Sequence, residues 1–551
     1  MTMRADSRTI AGLLAFLVPV ALLLPFANKA FHIDDPLFLW MARHIAEHPS
    51  DPYGLNVFWG AQVTEPMYLA NNNPPGIAYW LAATALFAGW SEMAMHFSMA
   101  VLAGAAGLGS YFLARDLCDR PLTATLIGVL TPGFLVSATT LMSDIPMTAF
   151  YVWSLALWVA GVKRNRPGLL QASAILMGIA VLMKYFAATL LPLTLVYTLV
   201  AAPKTWRWAW HYLTPLAIVG AYVAWGYWRY EINLFSLAAE IATSSRWRGE
   251  RPQLLHVLTG VAFTGACGAS LAVMTPFLWT RRVLGVVLVG GAALVAVICV
   301  PWVFTQIAGE TPFTATYRFQ VGLWIAAGMQ IAILVVIDLW RRRDATAVLL
   351  ACWIAGTFVF AVYINHMINA RTLLPVLPAL GILAARRMAA LGEGVTLSPR
   401  WNVVSLSAAG LLSLWVAAAD YEFANASRTV TGEFSRDRAK FSTQVYFYEH
   451  WGFQYYMEQA GARPLEGKLN AYNMESYRPM LSGDTLAVPH TNDMKAPNFD
   501  TYSAIATYAY PMRWHMKTMT DGAGFYSHYW GMLPFVAGEV KPETFLFIQV
   551  P

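Results

Sequence analysis

The sequence predicts an all-α polytopic membrane domain of about 13 transmembrane helices, followed by a C-terminal extracytoplasmic α+β domain. Three observations carry that reading. Of 551 residues, 57% are hydrophobic and only 12% charged, whereas a soluble chain holds about 25% charged residues. Aromatic residues make up 14% of the chain, with 22 Trp, as lipid interfaces collect them. Apolar runs long enough to cross a bilayer recur along the first 420 residues, and basic clusters fall in every second connection between them. The same figures exclude a multidomain soluble enzyme and a disordered chain.

A helix needs about 20 mainly apolar residues to cross the hydrocarbon. Such runs lie near 10–28, 93–114, 121–140, 145–162, 168–183, 185–201, 213–229, 254–278, 283–305, 320–340, 346–364, 372–391 and 403–419. The stretch 168–201 is too long for one helix and divides at Lys184 and Tyr185. The short apolar stretch 77–90, after Asn71-Asn72-Asn73-Pro74-Pro75, reads as a helix at the interface rather than a span. With the N-terminus in the cytoplasm, every inner connection is basic: Arg115 and Arg120, then Lys163-Arg164, Lys204 and Arg207, Arg281-Arg282, Arg341-Arg342-Arg343, and Arg386, Arg387 and Arg400. Residues 1–30 read as a retained first helix, since Ala27-Asn28-Lys29-Ala30 is a poor cleavage site.

Two domains follow from this topology. Residues 1–420 form the membrane domain, with outer loops at 29–92 and 230–253, and residues 421–551 form the domain outside. The expected location is a bacterial-type inner membrane. The net charge of +6 comes in short clusters between apolar runs and is no nucleic-acid signal. All four cysteines lie in or beside apolar runs and read as small buried side chains.

The sharpest chemical feature is Phe31-His32-Ile33-Asp34-Asp35-Pro36, just outside the first span. Leu37, Met41 and Ile45 then recur at a four-residue step, which predicts an amphipathic helix on the membrane surface. Pro36 fits its first position and Asp35 its N-cap, leaving Asp34 without a structural task. Two adjacent carboxylates resist ionising together, and burial raises the pKa of at least one. Such a carboxylate suits a general base for a hydroxyl acceptor. Asp144, in Met142-Ser143-Asp144-Ile145-Pro146, begins another span at the same expected depth, where it also fits a helix cap.

Outward basic residues run against the orientation trend and ask for partners. They are Lys184 between two spans, Arg371 after Asn365-His366-Met367-Ile368-Asn369-Ala370, and Arg246, Arg248 and Arg251 in the second outer loop. Each could snorkel to the headgroups alone; as a set facing outward acids, they suit a lipid phosphate. No phosphate-binding glycine loop, zinc-protease motif or serine elbow is present. Mid-membrane acids for an ion relay are nearly missing, which disfavours a transporter.

At these residues the chain resembles the GT-C class of membrane glycosyltransferases, in particular the protein O-mannosyltransferases and the bacterial lipid A aminoarabinose transferases. The class's acidic pair in the first outer loop is matched by Asp34-Asp35, its second acid by Asp144 and its later lysine by Lys184. His366 to Pro378 resembles the class segment Arg-Tyr-Leu-Leu-Pro-x-x-Pro, with Thr372 in place of the aromatic. The acidic pair departs too, being Asp-Asp where the class has Asp-Glu.

The resemblance implies a sugar donor carried on a polyprenyl phosphate and an extracytoplasmic acceptor that is a lipid, a glycan or a protein. It implies catalytic Asp34, with Asp144 and Asp35 beside it, and phosphate binding by Lys184 and Arg371, helped by Arg246 or Arg248. A divalent cation, Mg or Mn, is left open by the class, because some members bind one near the acids and others work without it. The C-terminal domain has two aromatic-rich stretches, Tyr446 to Tyr456 and Gly522 to Gly531, suited to sugar stacking, membrane anchoring or an ordinary core. Tyr526 there and His366 in the membrane domain are the candidates for acceptor or sugar binding. Competing readings are a transporter or flippase of lipid-linked sugars, a cell-envelope polysaccharide ligase or polymerase, and a catalytically inactive scaffold.

Overall fold

The computed structural model describes residues 5–59, 63–202, 206–244, 253–308, 314–392, 399–465, 483–489 and 503–549. Eight helices among them are long and apolar enough to cross a membrane: Ser7–Phe26, Glu92–Leu117, Asp144–Arg164, Arg281–Cys299, Ala315–Arg342, Ala345–Ile364, Ala370–Leu391 and Arg400–Arg436. Five further apolar helices are shorter, at Gly76–Ala88, Pro167–Met183, Tyr185–Ala201, Leu234–Thr243 and Gln253–Cys267.

Several expected runs are interrupted where the sequence carries a breaker. The run at 121–140 divides into helices Pro121–Val129 and Pro132–Ser137, because Thr131 caps the second by accepting from the Phe134 amide at 3.2 Å and Pro132 starts it. The run at 254–278 breaks after Cys267 at Gly268, and the run at 283–305 breaks before Pro301. The Gly76–Ala88 helix has 13 residues, about 20 Å at 1.5 Å per residue, short of the bilayer core.

Apolar residues face both inward and outward. Val286, Leu288 and Val289 on the Arg281–Cys299 helix are mostly exposed, the surface a lipid-facing helix presents, since lipid tails are as apolar as the side chains they meet. Interior helices approach closely through small residues. A Cβ on Gly381 would stand 2.0 Å from the Ala124 carbonyl oxygen, so only glycine lets the Leu377–Leu391 helix lie against Pro121–Val129. Of the cysteines, Cys267 is buried, Cys118 and Cys299 are partly buried and Cys352 is exposed; all four are free. The expectation of four buried thiols therefore holds for Cys267 alone, since outward positions on a membrane helix accept an apolar thiol equally well.

The C-terminal segment holds a five-stranded sheet in the order Arg463–Pro464, Val445–Phe447, Thr485–Pro489, Glu543–Gln549, Ala504–Tyr510. Val445–Phe447 runs parallel to both its neighbours, and Glu543–Gln549 runs antiparallel to both of its own, with Leu546 opposite Val488 and Thr507. The aromatic-rich stretch that begins at Tyr446, whose sequence also carries a helical pattern, is a strand in its first residues and a helix only from Trp451 to Gln459. Val-Tyr-Phe suits a pleated surface, and its pairing with the Thr485–Pro489 strand overrides the helical pattern. On one face of the sheet Phe545 and Phe547 share a core with Phe434, Phe441 and Phe453. Phe434 belongs to the 38-residue helix Pro399–Arg436, so the chain passes residue 420 inside a continuous helix whose end enters this core.

Candidate active site

The first outer loop turns sharply after the Ser7–Phe26 helix. Ile33 takes φ of +50°, a left-handed conformation that a β-branched residue adopts only under strain. The turn closes with the Asp35 amide donating to the His32 carbonyl at 3.1 Å. The helix Asp35–Glu47 follows, with Asp34 at its N-cap position. This corrects the expectation by one residue: Asp35 is the first helical residue, not the cap. Asp34 makes no capping bond with its side chain, which leaves it free to face elsewhere.

Asp35 has another task. Its two carboxylate oxygens accept from the backbone amides of His32, at 2.9 Å, and Leu141, at 2.7 Å. Fully buried, it ties the first loop to the segment that leads into Asp144. Burial pushes its carboxyl up to about 7, against the pull of Lys29 and the two amides. Asp35 is not among the cavity-lining residues, so its expected place beside the catalytic acids is corrected to a tether. The physical reason is that its carboxyl is wholly buried and accepts from two buried amides.

Asp144 opens the Asp144–Arg164 helix and is buried. Lys184 sits in the break between Pro167–Met183 and Tyr185–Thr189, in an extended conformation that ends the first helix. Its Nζ lies 2.6 Å from Asp144 Oδ1. Arg371 is carried by the short helix Ala370–Leu373, which Asn369 caps by accepting from the Thr372 amide at 2.8 Å. Arg371 Nη1 stands 3.4 Å from Asp34 Oδ2 and 4.0 Å from Asp144 Oδ2, and contacts Met142 Sδ.

These four charged side chains line one cavity of about 450 Å³. Asn72, Asn73, Tyr185, Asn365, His366 and Asn369 add polar groups to its wall, while Phe235, Ala238, Ala239, Phe360 and Ile364 give an apolar side. Asp34 is the more accessible acid, its side chain one-third exposed against 2% for Asp144. The structure thus brings Asp34, Asp144, Lys184, Arg371 and His366 together. Arg246 and Arg248 lie outside the described residues.

Tyr526 does not line the cavity. It is buried behind Arg371, whose guanidinium carbon lies 5.6 Å from the ring centroid, and its hydroxyl donates to Asp420 Oδ2 at 2.8 Å. Its expected role in sugar contact is therefore corrected: tertiary packing turns the ring to the rear of the guanidinium. Burial beside Asp420 pushes its phenol well up, so the hydroxyl stays a donor.

Sequence reasoning missed a buried cluster next to this site. Lys29 Nζ lies 2.5 Å from Asp420 Oδ2 and 3.0 Å from Thr139 Oγ1, and Thr518 donates to Asp420 Oδ1 at 2.8 Å. Lys29 and Asp420 are both wholly buried. The signal was a charge at the end of each of two apolar runs, where an unpaired ion is costly. His32 beside them has its imidazole pulled down to about 3 by burial, so it is neutral.

No group of three or more His, Cys, Asp and Glu side chains able to hold a metal occurs among the described residues. Both cavity acids already face cations, so the residues present do not form a divalent-metal cage.

Residues 72–228 match the family described as dolichyl-phosphate-mannose-protein mannosyltransferase. The matched segment holds Asn72, Asn73, Asp144 and Lys184 and does not reach Asp34 or Arg371. An uncharacterized protein of Aquifex aeolicus (strain VF5) is 30% identical over 200 residues, 35% of this chain and 38% of that protein. The match therefore spans well under half the length of that relative. The oligosaccharyltransferase of Archaeoglobus fulgidus in its apo form is similar at a TM-score of 0.46 and 15% identity, over 84% of this chain and 64% of that one. ArnT from Cupriavidus metallidurans bound to undecaprenyl phosphate is similar at a TM-score of 0.41 and 14% identity, over 91% of this chain and 97% of that one. The chain is a multi-pass membrane protein that resembles the GT-C class of membrane glycosyltransferases, and its residues 72–228 carry the sequence pattern of a mannosyltransferase family of that class.

Proposed function

We propose that this protein is an integral membrane glycosyltransferase that moves a sugar from a polyprenyl-phosphate donor to an extracytoplasmic acceptor hydroxyl by a single inverting displacement. The observation that carries the reading is the convergence of Asp34, Asp144, Lys184 and Arg371, drawn from four distant segments, on one cavity with a polar wall and an apolar side. The family match over residues 72–228 supports a lipid-phosphate donor. In this reading about 13 helices span the membrane with the N-terminus in the cytoplasm, and residues 421–551 lie outside.

The chemistry follows from the charges. The donor's leaving group is already a phosphate, so it needs cations rather than a proton. Lys184 and Arg371 supply them. Each is engaged by a carboxylate before the donor arrives, Lys184 by Asp144 and Arg371 by Asp34. The second contact, at 3.4 Å, is longer than the roughly 2.7–2.9 Å of a charge-assisted bond, so an incoming phosphate breaks it first. That exchange moves Arg371 to the donor and frees Asp34. The acceptor oxygen then attacks the anomeric carbon on the face opposite the phosphate, its proton passes to Asp34, and the carbon–oxygen bond to phosphate breaks with its electron pair on the departing polyprenyl phosphate. Asp144, held by Lys184, orients the acceptor or steadies the positive charge at the anomeric carbon.

The test supplies radiolabelled polyprenyl-phosphate sugar to purified protein with extracted envelope acceptors. Release of polyprenyl phosphate in step with labelled acceptor supports transfer. Movement of intact donor across proteoliposomes with none released would replace this reading with transport.

A further inference from the structure

We propose that Tyr526 is a positioning residue for Arg371: its ring is the platform that holds the guanidinium off the two carboxylates and in line for a phosphate. The inference rests on the reading that Arg371 holds the donor phosphate.

Arg371 faces two acids and pairs closely with neither, at 3.4 and 4.0 Å. A guanidinium free to choose would close to a direct bond with one of them. What lies behind it is the Tyr526 ring, 5.6 Å from the guanidinium carbon, in the range where an aromatic face attracts a cation. The ring is itself locked. Its hydroxyl donates to Asp420 at 2.8 Å, and Asp420 is fixed by Lys29 and Thr518. The His32 ring meets the Tyr526 ring edge-on at 5.5 Å. Tyr526, Asp420, Lys29 and Thr518 are all buried.

The backbone around the two residues is stitched together as well. The Ala370 amide donates to the Phe525 carbonyl at 2.9 Å, and the His528 amide to the Ile368 carbonyl at 2.8 Å. The Ile368 amide donates to His528 Nδ1 at 3.0 Å, and the Tyr529 hydroxyl to the His366 carbonyl at 2.9 Å. The C-terminal segment Phe525 to Tyr529 thus braces the strand of chain that delivers Arg371. A C-terminal domain that only collected acceptors would have no reason to bury a hydrogen-bonded tyrosine under a cation of the membrane domain.

The experiment titrates the full-length protein in nanodiscs with undecaprenyl phosphate, following intrinsic tryptophan fluorescence, and records each variant's thermal unfolding midpoint. Tyr526→Leu, which removes the ring, is expected to weaken binding about tenfold. Tyr526→Phe keeps the ring, leaves Asp420 with Lys29 and Thr518, and is expected to bind within about threefold of the unaltered protein. If Tyr526→Leu does not yield folded protein, Tyr526→Met takes its place. Arg371→Gln separates the two ideas. Should it lose binding while the ringless variant binds normally, the platform is overturned; equal weakening by Phe and Leu overturns it too. Should Arg371→Gln itself bind normally, the phosphate reading falls first and this inference with it.

Discussion

Asp34 and Asp35 are neighbours in sequence and opposites in the fold. Asp35 spends both oxygens on the amides of His32 and Leu141, while Asp34 keeps one loose contact with Arg371 and faces the cavity. Asp35 holds the loop against the segment that carries Asp144; Asp34 is left facing the cavity. Ile33, held at φ of +50°, lies in the turn that leads into both.

Asp34→Asn should leave undecaprenyl phosphate binding nearly intact and lower the rate of sugar transfer by about a hundredfold or more, as expected for loss of a general base. Initial rates at saturating donor check this. A transfer rate within a factor of three of the unaltered protein would remove Asp34 from the base role.

Lys184→Gln should weaken donor binding and also destabilise the protein by about 3 kcal/mol, because Asp144 is buried and loses its close partner. Combining it with Asp144→Asn should recover most of that stability and none of the transfer. Thermal unfolding of the two singles and the double, read as a mutant cycle, measures the coupling.

The Lys29–Asp420 pair joins the chain just after the first helix to the Pro399–Arg436 helix inside the protein. Lys29→Met alone should cost about 3–5 kcal/mol by stranding a buried carboxylate. Lys29→Met with Asp420→Asn should cost much less, since no buried charge is left unpaired and the amide oxygen still accepts from the Tyr526 hydroxyl. Detergent-solubilised unfolding midpoints give the comparison.

Two buried groups give opposing pH slopes. The His32 imidazole, lowered to about 3 by burial, contributes stability that is present above its usual value near 6.5 and lost as pH falls toward 3. The Asp35 carboxyl, raised to about 7, contributes stability that is present below its usual value near 3.8 and lost as pH rises through 7. Between pH 4 and 6.5 the two largely cancel, each being worth up to about 1.4 kcal/mol per pH unit. His32→Phe should therefore leave a stability that falls with rising pH, and Asp35→Asn one that falls with falling pH. Unfolding midpoints across that window test both signs.

The sequence by itself determined the solvent and singled out charged residues that line the cavity. Apolar runs with few charges need lipid, and a charge beside such a run is costly enough to stand out, which is how Asp34, Asp144, Lys184 and Arg371 were legible. The break at Lys184 was legible too, because one helix cannot use a run of that length. Tertiary structure alone decided which member of the acidic pair is free, that Tyr526 lies behind Arg371 rather than in the cavity, and that Lys29 meets Asp420 across 391 residues of chain. Periodicity reports which face of a helix is apolar; it carries no term for which distant segment covers that face, and the pairing of buried charges is set by that covering.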